Sequence, residues 1–399
     1  MNKLSDNALK LEDSLIRKMF DMASKMEDVI SFAIGEPDFT TPDNIIEAAY
    51  AALKRGETHY TSNMGILPLR QAIAKESKTH RKVELNPENQ IMVTGSGMEA
   101  LMLAMMAIVN PGDEVILSNP YWTNHASQVK MCGGTPKLVN VYEEDGFIFN
   151  PEHLRKAVNS KTKAILLNSP ANPTGGVAER HVLEEIAAIA KEHDLLIISD
   201  EVYRYFVYDG AEFISIASLE GMKDRTIIID SFSKTYAMTG WRIGYAAACE
   251  EIIEKMGKLQ ENIISCVSTF IQYAALEALE GPQDDLAYMV QKYRERRDLI
   301  IDGINAIDGL SCIKPKGAFY AFANITASKM TSEEFALALL KKAKVVVVPG
   351  VGFGDAGEGF VRISYATSEE NILEGLRRIK SFMEELKLSK SYESCTKAV

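Results

Sequence analysis

The chain of 399 residues is short of several things, and each shortage excludes something. It has only five cysteines (Cys132, Cys249, Cys266, Cys312, Cys395), scattered and odd in number. Such a set builds no disulfide frame and suits reduced thiols, so the expected compartment is the cytoplasm. The six histidines form no ligand-spaced motif, and no metal is expected. Long apolar runs are missing. The longest, Ala100 to Val109, falls well short of the roughly 20 residues a membrane span needs. Met1 to Phe20 alternates charged and apolar residues without a signal core, so no secretion signal is read. Positive charge is in deficit: 55 acidic against 44 basic side chains give a net charge of −11. That balance argues against wholesale binding to nucleic acid or anionic membrane. It leaves room for a local basic pocket that takes a small anion.

What is present is ordinary globular material, 46% hydrophobic and 25% charged. At about 150 residues per domain, two or three domains are expected. Short apolar runs at Gln90–Thr94, Glu114–Ser118, Ala164–Asn168, Leu195–Asp200, Thr226–Asp230 and Gly244–Ala248 read as strands covered on both faces. Between two of them, Val182, Leu183, Ile186, Ile189 and Ala190 recur at helical spacing, with Glu184, Glu185 and Lys191 opposite. This rhythm predicts an α/β fold with a mostly parallel central sheet flanked by helices. A long helix over Leu286–Ile304 carries Lys292-Tyr-Arg-Glu-Arg-Arg297, expected to be a solvated face. Further strands at Ala318–Ala323, Val345–Val348 and Phe360–Tyr365 suggest a smaller α+β domain, and Lys387–Val399 is expected to fray.

Gly352-Phe-Gly354-Asp-Ala-Gly357 matches the spacing of a dinucleotide fingerprint, but that fingerprint must open a helix. The residues after it, Gly359 to Tyr365, alternate like a strand, so a mobile glycine loop is expected.

Open α/β sheets bind ligands beyond the carboxyl ends of their strands. Four segments fall there: Thr94 to Ala100, Asn168 to Gly175, Ser199 to Tyr203 and Ser231 to Thr235. Ser96-Gly97-Met98 would open the helix Met98–Val109 and offer free backbone N–H groups to a phosphate. Taken alone, it reads as a plain strand-to-helix turn. Ser231, Ser233 and Arg242 could add hydroxyl and guanidinium contacts. Asp200 ends a buried strand, where a carboxylate is costly without a cation; alone, it could equally be a cap or a salt bridge. Lys234 alone would be a surface lysine. One cofactor asks for the whole set. Pyridoxal phosphate needs a lysine amine for its aldehyde, a carboxylate opposite its ring nitrogen and a phosphate cradle. Tyr203 and Asn172 fit as the phenol and amide near the ring oxygen.

At this point the chain resembles the class I (aspartate/aromatic-type) aminotransferases, in the fold type I group of pyridoxal-phosphate enzymes. The resemblance rests on Ser231 to Gly244, Asn172-Pro-Thr-Gly175, Asp200-Glu-Val-Tyr203, Ile34-Gly-Glu-Pro-Asp-Phe39, Tyr60 with Gly65, Pro120-Tyr-Trp122 and Phe360-Val-Arg-Ile-Ser364. It covers roughly residues 30 to 380. It implies a large cofactor-binding domain over 45–285 and a small domain from 1–44 and 286–399. It implies that Lys234 holds the cofactor as a Schiff base, that Asp200 pairs with the ring nitrogen, and that Tyr203 and Asn172 bond the ring oxygen. Trp122 would stack on the ring. Ser96, Gly97, Met98, Ser231, Ser233 and Arg242 would surround the phosphate. Tyr60 would reach the phosphate of a second subunit, implying a homodimer with shared sites. Arg362 would fork onto the substrate α-carboxylate, assisted by Asn172 and Gly35.

The implied reaction belongs to amino-acid metabolism. An α-amino group passes to a 2-oxo acid, 2-oxoglutarate by resemblance, in a ping-pong cycle with Lys234 as the proton carrier. A β-elimination lyase would use the same cofactor residues. A ligand-sensing module is the reading from another class, but the stretch before residue 30 is too short for a DNA-binding domain. The donor stays open among aspartate, aromatic, alanine, methionine and broad-range types. The methionines of the first cradle helix (Met98, Met102, Met105, Met106) read as core packing.

Overall fold

The computed structural model describes residues 3–9, 11 and 15–396. Its centre is a seven-stranded sheet in the order Ile91–Thr94, Gly244–Ala247, Thr226–Ser231, Leu196–Asp200, Thr162–Asn168, Glu114–Asn119, Thr135–Asn140. All pairs are parallel except those of Gly244–Ala247, which runs antiparallel to both neighbours. The expected α/β fold with a mostly parallel sheet is therefore present, and six of the seven strands lie within two residues of the sequence reading. The seventh, Thr135–Asn140, escaped it. This edge strand is largely exposed, so it lacks the continuous apolar run of the others.

Helices cover both faces. Arg180–Glu192 buries Val182, Leu183, Ile186, Ile189 and Ala190, as the spacing requires. Gly97–Ile108 packs into the second face with Leu101, Leu103, Ala104 and Met105. Of its four methionines only Met105 is fully buried. Met106 is 39% exposed and Met98 lines the functional cavity, so core packing accounts for only part of the set.

A second sheet pairs Val348–Pro349, Phe360–Ser364 and Tyr320–Asn324, all antiparallel. Ile30–Ser31 pairs in parallel with Val345–Val346, tying the early chain to the late one. The largest apolar core runs from Ile165 and Ile197 of the central sheet to Phe319, Ala321 and Phe322. The small sheet is thereby held beside the carboxyl ends of the large one.

Two expectations need correction. The charged stretch on the helix Asp284–Asn305 is not a solvated face throughout. Lys292, Arg294 and Glu295 reach water, but Arg296 and Arg297 are buried. Arg297 donates to Asp209 at 2.7 Å and to Asp298 at 2.6 Å, and Arg296 to Asp38 at 2.8 Å. Partnering is what makes a buried guanidinium tolerable. The glycine loop after Val348–Pro349 leads to a strand and not a long helix, as expected, but it is packed. Phe353 is fully buried, and Gly350 and Gly357 approach so closely that a Cβ on either would strike the other's carbonyl. The terminal helix Glu369–Thr396 includes most of the tail expected to fray; residues 397–399 lie outside the described residues. Among the described residues, no helix is long and apolar enough to cross a membrane.

Candidate active site

The strand ends converge as the register dictates. Asn168 lies beside Asp200, Asp200 beside Ile229, and Ser231 beside Gly244, which also faces Thr94. A cavity of about 310 Å³ opens over these ends. Its walls include Gly35, Ser96, Gly97, Met98, Trp122, Asn172, Asp200, Tyr203, Ser231, Ser233, Lys234, Arg242 and Arg362. Every site residue expected from the sequence is therefore brought together, with one exception. Tyr60 does not line this cavity and is 88% exposed.

One end of the cavity is an anion cradle. Ser96 caps the helix Gly97–Ile108, its Oγ accepting from the Glu99 N–H at 3.2 Å. Ser231 Oγ likewise accepts from the Ser233 N–H at 3.0 Å. In both cases the hydroxyl hydrogen stays free to donate. The two turns touch because Gly244 has no side chain. A Cβ there would lie 2.5 Å from the Gly97 nitrogen and 2.6 Å from the Ser96 carbonyl carbon. Arg242 closes the cradle from a left-handed backbone conformation (φ 57°), its Nη1 donating to the Thr239 carbonyl at 2.8 Å.

At the other end Asp200 is 3% exposed, and its Oδ2 meets His125 Nε2 at 2.9 Å. Between the two ends stands Lys234, half-buried, its Nζ donating to the Gly35 carbonyl at 2.6 Å. Burial lowers its pKa to about 8; Glu36 and Asp200 pull upward, and Arg362 and Arg242 push further down. Tyr203 is buried, with its hydroxyl 2.7 Å from that of Tyr320. Burial raises its pKa well above that of a free phenol.

Arg362 comes from the small sheet. Val361 and Ile363 pack into the core as the alternation predicts, yet Arg362 is buried too, at the cavity wall. Its Nη1 donates to Asn172 Oδ1 at 3.0 Å, Nη2 to the Ala33 carbonyl, and Nε has no partner. Tyr320 and Phe353 lie 4.7 and 4.9 Å from the guanidinium. Burial lowers its pKa. A guanidinium pinned at two corners with an unpaired donor is prepared for an anionic ligand.

This donor set fits pyridoxal phosphate: a lysine with a lowered pKa, a buried carboxylate, a phenol, an amide and a cradle of N–H and O–H donors. Two residues of the site were missed from the sequence. His125 lies in the first turn of the helix Thr123–Met131, three positions after its N-cap Trp122, a spacing that could have exposed it. Tyr320 left no such signal, since its place is set by the small sheet. Among the described residues no group of three or more His, Cys, Asp or Glu could hold a metal ion.

Comparison with known proteins points the same way. The sequence model of the family "Aminotransferase class I and II" matches residues 27–379. The chain is 46% identical to aromatic-amino-acid aminotransferase 2 of Thermococcus litoralis, over 96% of its own length and 99% of the relative's. It is 47% identical to an aspartate aminotransferase of Pyrococcus abyssi, over 97% and 100%. Among solved structures, an aromatic aminotransferase from Pyrococcus horikoshii superposes with a TM-score of 0.89 at 46% identity, over 93% of this chain and 100% of the other. An aspartate aminotransferase from Thermus thermophilus with maleate superposes with a TM-score of 0.91 at 37% identity, over 96% and 100%.

Proposed function

Because the chain belongs to the class I and II aminotransferases, which move an amino group between an amino acid and a 2-oxo acid with pyridoxal 5'-phosphate, we propose a residue-by-residue division of that work within this cleft. The cofactor supplies the carbonyl carbon at which amino groups exchange and a ring that withdraws electrons from the substrate α-carbon.

Lys234 would anchor the cofactor through its amine. In the cofactor-free cleft burial holds its pKa at about 8, so Nζ would be suited to taking and returning a substrate proton near neutral pH. Asp200, held by His125, would pair with the ring nitrogen and keep it protonated. Tyr203 and Asn172 would bond the ring oxygen, and Trp122 would pack against the ring. Ser96, Gly97, Met98, Ser231, Ser233 and Arg242 hold the phosphate. Arg362 receives the α-carboxylate, with Asn172 and Gly35 beside it. The observation that carries this reading is the lysine of lowered pKa in one cavity with a buried carboxylate and an anion cradle.

The cations lining the cavity are Lys234, Arg242 and Arg362, all engaged above, while Ile34, Leu101, Trp122 and Val202 leave apolar wall. That favours an aromatic or apolar amino donor; 2-oxoglutarate as acceptor rests on the family resemblance alone. The exposed Tyr60 is read as a residue given to the phosphate of a partner subunit in a cytoplasmic homodimer. Residues 45–285 form the cofactor domain and 1–44 with 286–399 the small one, a division supported by the pairing of Ile30–Ser31 with Val345–Val346.

Borohydride reduction of the yellow holoenzyme should bleach its visible band and label Lys234. A label on another lysine would overturn the assignment. A panel of amino acids with 2-oxoglutarate, run beside an assay for pyruvate release from cystathionine, ranks donors and separates transfer from elimination. An active monomer in light scattering would remove the shared site.

A further inference from the structure

Tyr320 touches three functional groups at once. Its hydroxyl lies 2.7 Å from that of Tyr203 and 3.5 Å from the Gly35 carbonyl, and its ring lies 4.7 Å from the Arg362 guanidinium. The hydroxyl has little freedom. A Cβ on residue 35 would lie 2.1 Å from it, so only glycine there admits the phenol. The backbone is fixed as well, since Tyr320 pairs with Ser364 in the strand that carries Arg362.

The direction of the phenol–phenol bond follows from what each partner can do. The Gly35 carbonyl is the more distant acceptor, 3.5 Å against 2.7 Å for the Tyr203 oxygen, so it is the weaker one for Tyr320. Resting on the reading that Tyr203 donates to the cofactor's ring oxygen, the Tyr203 oxygen is left with free lone pairs that face Tyr320. A phenol that accepts one hydrogen bond becomes a stronger donor of the next.

We propose that Tyr320 is a positioning residue: it donates to Tyr203 and strengthens the bond Tyr203 gives to the ring oxygen. A donor at that oxygen withdraws charge and weakens its hold on the proton of the neighbouring lysine–cofactor imine. Tyr320 thereby lowers the pH at which that imine loses its proton. The other charged groups acting on this corner are Glu36, Asp200, Arg242 and Arg362, with His125 behind Asp200. None of them changes in the variants below.

The test is spectrophotometric titration of the visible band in resting holoenzyme, without substrate, for wild type, Tyr203→Phe, Tyr320→Phe and the double variant. Tyr203→Phe should raise the midpoint by about 1 unit and Tyr320→Phe by about 0.5 unit, the scale of one hydrogen bond. The double variant should match Tyr203→Phe alone, because Tyr320 acts only through Tyr203. If Tyr203→Phe shifts the midpoint but Tyr320→Phe does not, or if the two shifts add, the inference falls while the role of Tyr203 stands. No shift in Tyr203→Phe would overturn both.

Discussion

On two adjacent strands, neighbouring residues serve opposite ends. Asp200 and Ser231 face the cavity; Glu201 and Asp230, each one position away, belong to a buried ion cluster behind it. In that cluster Arg81 binds Glu76, Glu201 and Asp230, and Arg204 binds Glu76 at 2.9 Å and Asp230 at 2.7 Å. Tyr245 donates to Asp230, Tyr205 to Glu76, and Ser199 and Ser215 to Glu201. The cluster is heavily charged yet well paired. The cavity is less densely paired: Arg362 Nε has no partner and Lys234 spends its amine on one carbonyl. Density of charge therefore does not by itself mark a functional site: the dense cluster is paired, while a cation of the cavity keeps an unpaired donor. The regions also meet, since Asp230 Oδ1 accepts the Ser231 N–H at 2.6 Å and so steadies the cradle from behind.

The comparison breaks most sharply at Lys234. Lys234→Met should cut kcat by about 10⁴-fold, the upper range for losing a positioned proton carrier. The same variant should stabilise the cofactor-free protein at pH 7. The folded pKa of about 8 lies below the unfolded 10.5, so below pH 8 the protonated lysine penalises folding in full, and between 8 and 10.5 the native state binds fewer protons and the penalty fades. The penalty is relieved as pH rises through 10.5, so the gap measured by urea unfolding should close there. A constant gap would sink this account.

Arg81→Met should do the reverse. It leaves Glu76 and Asp230 sharing Arg204, and Glu201 with only the Ser199 and Ser215 hydroxyls, and should cost about 3–5 kcal/mol of stability. Surviving holoenzyme at low temperature should keep substrate KM near the wild-type value. Loss of activity without loss of stability would move Arg81 into the catalytic machinery.

Arg362→Lys keeps the charge and loses the fork. A loss of about 2–3 kcal/mol in kcat/KM is expected for amino and oxo acids together, since both carry the same carboxylate. The cofactor dissociation constant should hold. Lost cofactor would mean a structural role, and unchanged kcat/KM would place the carboxylate elsewhere.

The smallest effect lies in acid. Burial pushes the Glu76 carboxyl upward, but Arg204 and Arg81 outweigh it and hold it at about 2, below the ordinary 4.5. Its stabilising contribution is complete above pH 4.5 and fades as pH falls toward 2. Glu76→Gln should flatten the acid limb of the unfolding profile in that window, and an unchanged limb would remove Glu76 from it.

Local pattern was enough to read much of this molecule. Strands covered on both faces announce themselves as unbroken apolar runs, and Asn168, Asp200 and Ser231 were found because they terminate such runs. The segment Ser231 to Gly244 carries its chemistry in contiguous residues, so Lys234, Arg242 and the close-packed Gly244 were visible together. Tertiary structure decided what depends on distant partners. Arg296 and Arg297 look solvent-bound in a charged stretch and are buried because Asp38 and Asp209 come to meet them. His125, Tyr320 and the Arg81 cluster gain their roles from residues far along the chain. A sequence determines which side chains can bond; only the fold, by bringing distant partners together, decides which of those bonds are made.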